Sequence, residues 1–229
     1  RLRDVEEDRK NLSKKDRPIA SGAVSVKKAI IIAIVLFILS LASLFLIGNI
    51  ETSIKTIIYV VVYFVLNIGY SFGLKNKPII DIIILVSGFV IRVMVGGVVA
   101  NIEISNWLYL TILSISTYLG LGKRRNELRK NDKLDTRKVL KYYSKEFLDK
   151  NMYMCMSLAI CFFSLWTMQN ENKMMIWTVP IVIILALCYS LDIEKEESYG
   201  DPIEVIMSDK KIILLGALYV AVTLCMLYM

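Results

Sequence analysis

KKAIIIAIVLFILSLASLFLIG, residues 27–48, decides the fold. Past Lys27 and Lys28 it carries no charged side chain. A helix of about 20 apolar residues, rising 1.5 Å per residue, crosses the roughly 30 Å hydrocarbon core of a bilayer. Comparable runs occupy 54–73, 79–100, 105–122, 152–169, 174–191 and 211–229, which makes seven apolar spans in a chain of 229 residues. The chain is 56% hydrophobic with a mean hydropathy of +0.56, more apolar surface than a soluble core of this size can hide. A spanning barrel would read as short alternating segments, and none alternates, so the expected fold class is an all-α membrane protein.

The charges sort by side. If successive spans alternate in direction, segment 1–28, Lys75 and Lys77, segment 123–150 and segment 192–211 share one face of the membrane. They contain every Lys and Arg except Lys55, Lys173 and Arg92. The positive-inside rule makes that face cytoplasmic in a multi-pass protein of the cell membrane. The net charge of +7 is therefore read as membrane topology and not as a nucleic-acid surface. The division expected is a cytoplasmic loop over 1–28 and a transmembrane bundle over 29–229, with cytoplasmic loops at 123–150 and 192–210. The four cysteines lie inside apolar runs without metal-type spacing, and there is no histidine. Histidine bases, Ser-His triads and histidine metal ligands are thereby excluded, and any metal would take oxygen ligands, which favours Mg2+.

Chemistry is confined to the loops. Asp4 and Asp8 are four residues apart and share a face if helical, about 6 Å apart along the axis. Such a pair can hold Mg2+ bound to a diphosphate, with the basic residues that follow neutralising the remaining charge; it is equally a solvated helix end with internal ion pairs. Gly122-Lys123-Arg124-Arg125-Asn126-Glu127-Leu128 follows a span directly. Its three cations are either positive-inside anchors or a clamp for phosphate, to which the planar fork of arginine is suited. Residues 133–149 mix Leu134, Val139, Leu140, Tyr143, Phe147 and Leu148 with charges, the pattern of short amphipathic helices, and Ser144 is placed to start one. Arg92 lies eleven residues past Asp81, about 16 Å deeper on a continuous helix, where a guanidinium needs partners.

Taken together, these residues resemble a known family. Arg3-Asp4-x-x-x-Asp8 followed by Lys14-x-x-Arg17-Pro18-Ile19-Ala20-Ser21-Gly22 is similar to the first aspartate motif of the UbiA superfamily of intramembrane prenyltransferases. Tyr70-Ser71-x-x-Leu74-Lys75, Pro78-Ile79-Ile80-Asp81, Arg92-x-x-x-Gly96-Gly97 and Ser105-x-Trp107 extend the likeness. Most members have a second aspartate-rich motif where this chain has Gly122-Lys123-Arg124-Arg125-x-Glu127-Leu128. That substitution, with Tyr143-Ser144-x-x-Phe147-Leu148 and Asp201-Pro202-x-Glu204-Val205, resembles the branch that handles phosphoribosyl groups and decaprenyl-type phosphates. The family's bundle has nine helices with the first motif after the second, so the seven spans here imply an N-terminally truncated chain. The family motif also has an Asn-Asp pair ahead of Asp4, and Arg1 stands at the Asp position.

The resemblance implies transfer of a phosphoribosyl group from phosphoribosyl diphosphate to a polyprenyl phosphate, with Mg2+ as cofactor. It implies Asp4 and Asp8 as metal-holding catalytic carboxylates, and Lys14, Arg17 and Lys75 as phosphate ligands with Tyr70 as a hydrogen-bond donor. Lys123, Arg124 and Arg125 would bind the lipid phosphate or the ribose 5-phosphate. Two further readings stay open: joining of a prenyl diphosphate to an aromatic acceptor, and a non-enzymatic transporter or structural protein, for which Arg92 is the main support.

Overall fold

The computed structural model describes residues 5–10, 15–44, 49–130, 138–194, 207 and 209–228. Among these every regular element is helical: α1 (Val5–Lys10), α2 (Val26–Leu44), α3 (Ile50–Ser71), α4 (Ile80–Ala100), α5 (Asn106–Lys130), α6 (Lys145–Gln169), α7 (Val179–Glu194) and α8 (Lys210–Tyr228). Short 3-10 turns at Leu74–Asn76, Lys138–Tyr142 and Lys173–Thr178 punctuate them. Each apolar run read from the sequence falls on one of α2 to α8, the sixth including the turn before α7. Among the described residues, five segments are long and apolar enough to cross a membrane: Val26–Leu44, Ile50–Ser71, Ile80–Ala100, Lys145–Gln169 and Lys173–Glu194.

The described residues cluster into two compact units. The first comprises residues up to Ile84 with Ile91–Glu103 and Lys133–Val139; the second comprises Leu85–Val90, Ile104–Asp132 and Leu140–Met229. In the first unit α2 and α3 run antiparallel: Ser53 Oγ donates to Leu44 O at 3.1 Å at one end, and Phe37 stacks on Phe64 with centroids 4.6 Å apart farther along. Asn49 caps α3 by accepting from the Glu51 and Thr52 amides. The apolar side chains of α2 remain largely exposed, as lipid-facing residues are in a chain taken without its bilayer.

The second unit is a bundle of α5 to α8. α5 and α6 are antiparallel, joined by the Arg125–Asp149 ion pair at one end and by Trp107 stacked on Phe162, 6.2 Å between centroids, at the other. α7 runs alongside α5, with Tyr118 Oη and Ser190 Oγ 2.7 Å apart. Gly122 makes this approach possible, since a Cβ there would come within 3.3 Å of Met152 Cε and 3.5 Å of Ile193 Cδ1. α8 closes the far end, where Asn172 donates to Met226 O.

Two boundaries differ from the sequence reading. Residues 123–130, expected in a loop, continue α5, because Lys, Arg, Glu and Leu are strong helix formers and charge is tolerated once a helix leaves the apolar layer. α6 begins at Lys145, several residues before its apolar run, with Ser144 as N-cap accepting from the Phe147 amide. Around this start Val139, Leu140, Tyr143 and Leu148 are buried whereas Tyr142 is 71% exposed and Phe147 is also exposed, so most of the apolar residues of the amphipathic stretch pack inward. Replacing Ser144 by Ala should lower stability by about 1 kcal/mol, and Ser144→Asp should restore it, read as the thermal midpoint in lipid nanodiscs.

Candidate functional site

In the first unit the polar residues of interest follow from two chain reversals. After α1, the backbone folds into successive turns in which the Ser21 amide bonds Arg17 O at 2.8 Å and the Val24 amide bonds Pro18 O at 2.8 Å, with Gly22 at φ +83. Arg9 Nε donates to Ala20 O at 3.0 Å, tying α1 to this turn, in which Arg17 is half-buried. The second reversal follows α3. Tyr70 lies on its last turn, Gly73 adopts φ +128, and the 3-10 turn Leu74–Asn76 presents Lys75. φ +128 is reached without strain only by glycine. The chain then re-enters α4 through a γ-turn centred on Ile79, at φ 68 and ψ -45, closed by the Ile80 amide on Pro78 O at 2.8 Å. A β-branched residue with positive φ is a strained conformation, held here because Pro78 and the start of α4 fix both sides. Asp81, one residue into α4, is fully buried. Arg17, Tyr70, Lys75 and Asp81 are each engaged by neighbouring groups.

Asp4 and Lys14 lie outside the described residues, as do Asp201, Pro202 and Glu204. Asp8 lies on α1, and its side chain is likewise outside what is described. The donor set expected from the sequence, two carboxylates in a chain without histidine, would be a hard-oxygen environment that suits Mg2+ better than a softer metal.

In the second unit the basic motif is resolved into distinct roles. Successive residues on a helix point about 100° apart, so the three adjacent cations leave α5 in different directions. Arg124, 1% exposed, donates through Nη1 to Glu127 Oε2 at 2.8 Å on its own helix. Arg125, 6% exposed, pairs through Nε with Asp149 of α6 and through Nη2 with Glu194 of α7 at 3.5 Å. It thereby cross-links three helices. Arg129 Nη1 donates to Glu194 O at 2.9 Å, satisfying a carbonyl at the C-terminus of α7. Lys123 is half-buried and makes no ion pair among the described residues. Among the described side chains on the last turns of α5, Arg124 and Arg125 are thus held by carboxylates and Arg129 caps α7, while Lys123 makes no ion pair.

At this end Arg125 Nη1, and both Oδ1 and Nδ2 of the fully buried Asn126, have no hydrogen-bond partner among the described residues. The sequence reading passed over Asn126 as a spacer. An open cavity of this unit lies at the opposite end, lined by Ser105, Trp166, Gln169, Asn170, Glu171 and Asn172, and includes none of the expected site residues. Arg92, in the first unit, meets the expectation that it has partners: its Nη2 donates to Tyr63 Oη at 2.7 Å and its guanidinium lies 5.1 Å from the Tyr63 ring centroid. It is exposed within the chain, its charge taken up by a phenol and an aromatic face in place of enclosure.

Comparison with known proteins adds the following. The UbiA prenyltransferase family profile matches residues 1–201. A protein of Corynebacterium glutamicum named decaprenyl-phosphate phosphoribosyltransferase is 33% identical over 227 residues, covering 95% of this chain and 67% of that protein. One of the same name from Mycobacterium tuberculosis is 28% identical over 226 residues, covering 96% of this chain and 72% of that one. Among solved structures, a UbiA homologue from Archaeoglobus fulgidus bound to GPP and Mg2+ superposes with a TM-score of 0.72 at 17% identity, covering all of this chain and 81% of the other. At that identity the structural likeness speaks to the fold alone.

Because Arg125 is nine-tenths buried and both of its carboxylate partners keep some solvent contact, removing the cation should cost more than removing either acid. Arg125→Met is expected to destabilise the chain by about 3 kcal/mol and Asp149→Asn by about 1 kcal/mol, measured by thermal unfolding in nanodiscs with the double variant to isolate the coupling.

Proposed function

This chain belongs to the UbiA prenyltransferase family, and from that premise we propose that it transfers a phosphoribosyl group from phosphoribosyl diphosphate to a polyprenyl phosphate, releasing diphosphate. The observation that carries the reading is the likeness, along nearly the whole chain, to proteins named decaprenyl-phosphate phosphoribosyltransferase, combined with a cationic end of α5 where a second aspartate cluster would serve a prenyl diphosphate. A donor and an acceptor that both bear phosphate call for cations in both places.

In the reaction the bond between the anomeric carbon and the diphosphate oxygen breaks, its electron pair leaving with diphosphate. A phosphate oxygen of the lipid forms the new bond to that carbon. The attacking oxygen is already ionised at neutral pH, so no proton is moved and no base is needed, in keeping with a chain that lacks histidine. What remains for the protein is to position two anions and to stabilise charge on the departing group. Asp4 and Asp8 would hold Mg2+ on the donor, and the ion when bound neutralises the leaving diphosphate. Lys14, Arg17 and Lys75 bind diphosphate oxygens, and Tyr70 donates a hydrogen bond to one of them. Lys123 binds the other phosphate directly, while Arg124 and Arg125 supply positive potential from fixed positions. The active face is cytoplasmic, where a charged, water-soluble donor is met, and the prenyl tail lies among the apolar helices.

Incubation of the chain in nanodiscs with radiolabelled phosphoribosyl diphosphate, polyprenyl phosphate and Mg2+ should give labelled lipid. Prenylation of an aromatic acceptor from a prenyl diphosphate, with no labelled lipid, would overturn the proposal. Asp4→Ala and Asp8→Ala should each lower turnover at least a hundredfold without moving the thermal midpoint, and Lys123→Ala should raise KM for one phosphorylated substrate about tenfold.

A further inference from the structure

The end of the second unit away from the basic motif holds a cavity that the proposed transfer does not use. It opens where α5 begins and α6 ends, has a volume of about 530 Å3, and is lined by Ser105, Trp166, Gln169, Asn170, Glu171 and Asn172. Small-molecule sites hold roughly 300–1,000 Å3, whereas one water takes about 30 Å3. α6 ends at Gln169, so Trp166 sits at the boundary between lipid and water, the level that indoles favour. Part of the lining is already committed to the turn. Asn172 Oδ1 accepts from the Met174 amide at 3.0 Å, and its Nδ2 donates to Met226 O. Asn170 Oδ1 accepts from the Asn172 amide at 3.1 Å, and Ser105 Oγ from the Leu108 amide at 3.2 Å. Left over are Asn170 Nδ2, the hydroxyl proton of Ser105, both amide atoms of Gln169 and the carboxylate of Glu171, none of which bonds another described residue. The cavity thus offers donors and acceptors together, one negative charge, no cation, and an indole wall.

That inventory narrows what the cavity can hold. An anion would meet Glu171 with no lining cation to offset it. A hard cation such as Ca2+ wants about six to eight oxygens, usually from several carboxylates, and the lining has one. A further apolar helix would bury that carboxylate unpaired. An ammonium group only donates, so it would displace water from the N–H groups of Asn170 and Gln169 without replacing the hydrogen bonds. Water matches every polar atom and fills the cavity when nothing else does, but it gains nothing from the face of Trp166. A sugar does both. Its neighbouring hydroxyls donate to the carboxylate and accept from the amides, as the displaced waters did, and its C–H face packs on the indole. We propose that this cavity binds a sugar, presented either as the headgroup of a glycolipid or free in solution.

The test needs neither substrate of the proposed transfer, so its result is independent of that reaction. The chain is placed in phosphatidylcholine nanodiscs carrying equal amounts of monoglucosyl diacylglycerol, phosphatidylethanolamine and diacylglycerol, and the lipid it retains is counted by native mass spectrometry. The glucosyl lipid should be retained over diacylglycerol by about fivefold or more. The double variant Gln169→Ala, Glu171→Ala should abolish that preference, and Trp166→Phe, with a smaller wall, should weaken it. Gln169 and Glu171 are exposed and bond nothing else described, so the double variant should keep the thermal midpoint of the unaltered chain. Methyl glucoside at millimolar concentration separates the two sources: displacement of the glucosyl lipid means that the sugar alone is recognised, and its failure to displace means that the headgroup is held at the membrane surface. Equal retention of glucosyl lipid and diacylglycerol, with no change of tryptophan fluorescence on adding methyl glucoside, would reduce the cavity to a water-filled recess and overturn the proposal. A preference for phosphatidylethanolamine that disappears with Glu171→Ala would overturn it in favour of an ammonium ligand. A glucosyl preference unchanged in the double variant and in Trp166→Phe would place the sugar elsewhere and is equally fatal.

Discussion

In a hydrocarbon layer a backbone amide has no water to fall back on, so every N–H and C=O must be satisfied within its own segment. That constraint produces the long helices α2 to α8, and it also decides where chemistry can be placed. Charged side chains are expelled to the helix ends, and the connecting turns are the only places where the backbone can depart from helical geometry. The first unit shows both consequences in the same few residues. α3 ends at Ser71, Gly73 supplies a conformation closed to other residues, and α4 restarts at Ile80 through the strained Ile79. Tyr70, Lys75 and Asp81 are gathered by that tight passage, with no slack for a flexible loop. The exception, Arg92 in the middle of α4, is tolerated because Tyr63 offers it both a hydroxyl and a ring face.

Each of the seven apolar runs falls on a helix, and five of them meet the length and hydropathy of a membrane span among the described residues, because those two properties report directly on the constraint. The start of α6 was legible for a different reason: Ser144 followed by an acidic residue and an aromatic is a local capping signal that does not depend on tertiary packing. The far end of α5 was misjudged as loop because hydropathy falls at Lys123 while helical propensity does not, and a hydropathy reading hears only the first. Ile79 was out of reach. Pro at 78 announces a turn, but nothing in an isoleucine predicts a positive φ, which comes from the surroundings on both sides.

Within the site, the types of residue were readable and their division of labour was not. Lys123-Arg124-Arg125 looks like one cationic cluster on a line of text. Helical geometry separates the three by about 100° at each step, and packing then assigns them different tasks. Arg125 draws Asp149 and Glu194 onto one guanidinium and so fixes the spacing of α5, α6 and α7 at their charged end. Asn126 gave no signal, since a lone amide between charged residues reads as solvated surface. Only its burial together with two idle polar atoms marks it out.

A framework that spends cations on cross-linking as well as on ligands has a chemical rationale for the proposed transfer. When the nucleophile is already an anion and the leaving group gathers further negative charge, there is no proton for a base to move, and the useful contribution is a positive field that does not have to reorganise during the reaction. Exposed lysines on flexible stems would relax around each new charge distribution and gain little. An arginine held on two sides by carboxylates from other helices keeps its position through the reaction, and its remaining N–H keeps its direction. The carboxylates lower its net field while they raise its rigidity, so the balance favours them only if a second, less constrained cation is nearby to meet the phosphate. Lys123, half-buried and two residues earlier on the same helix, is the cation proposed for that role.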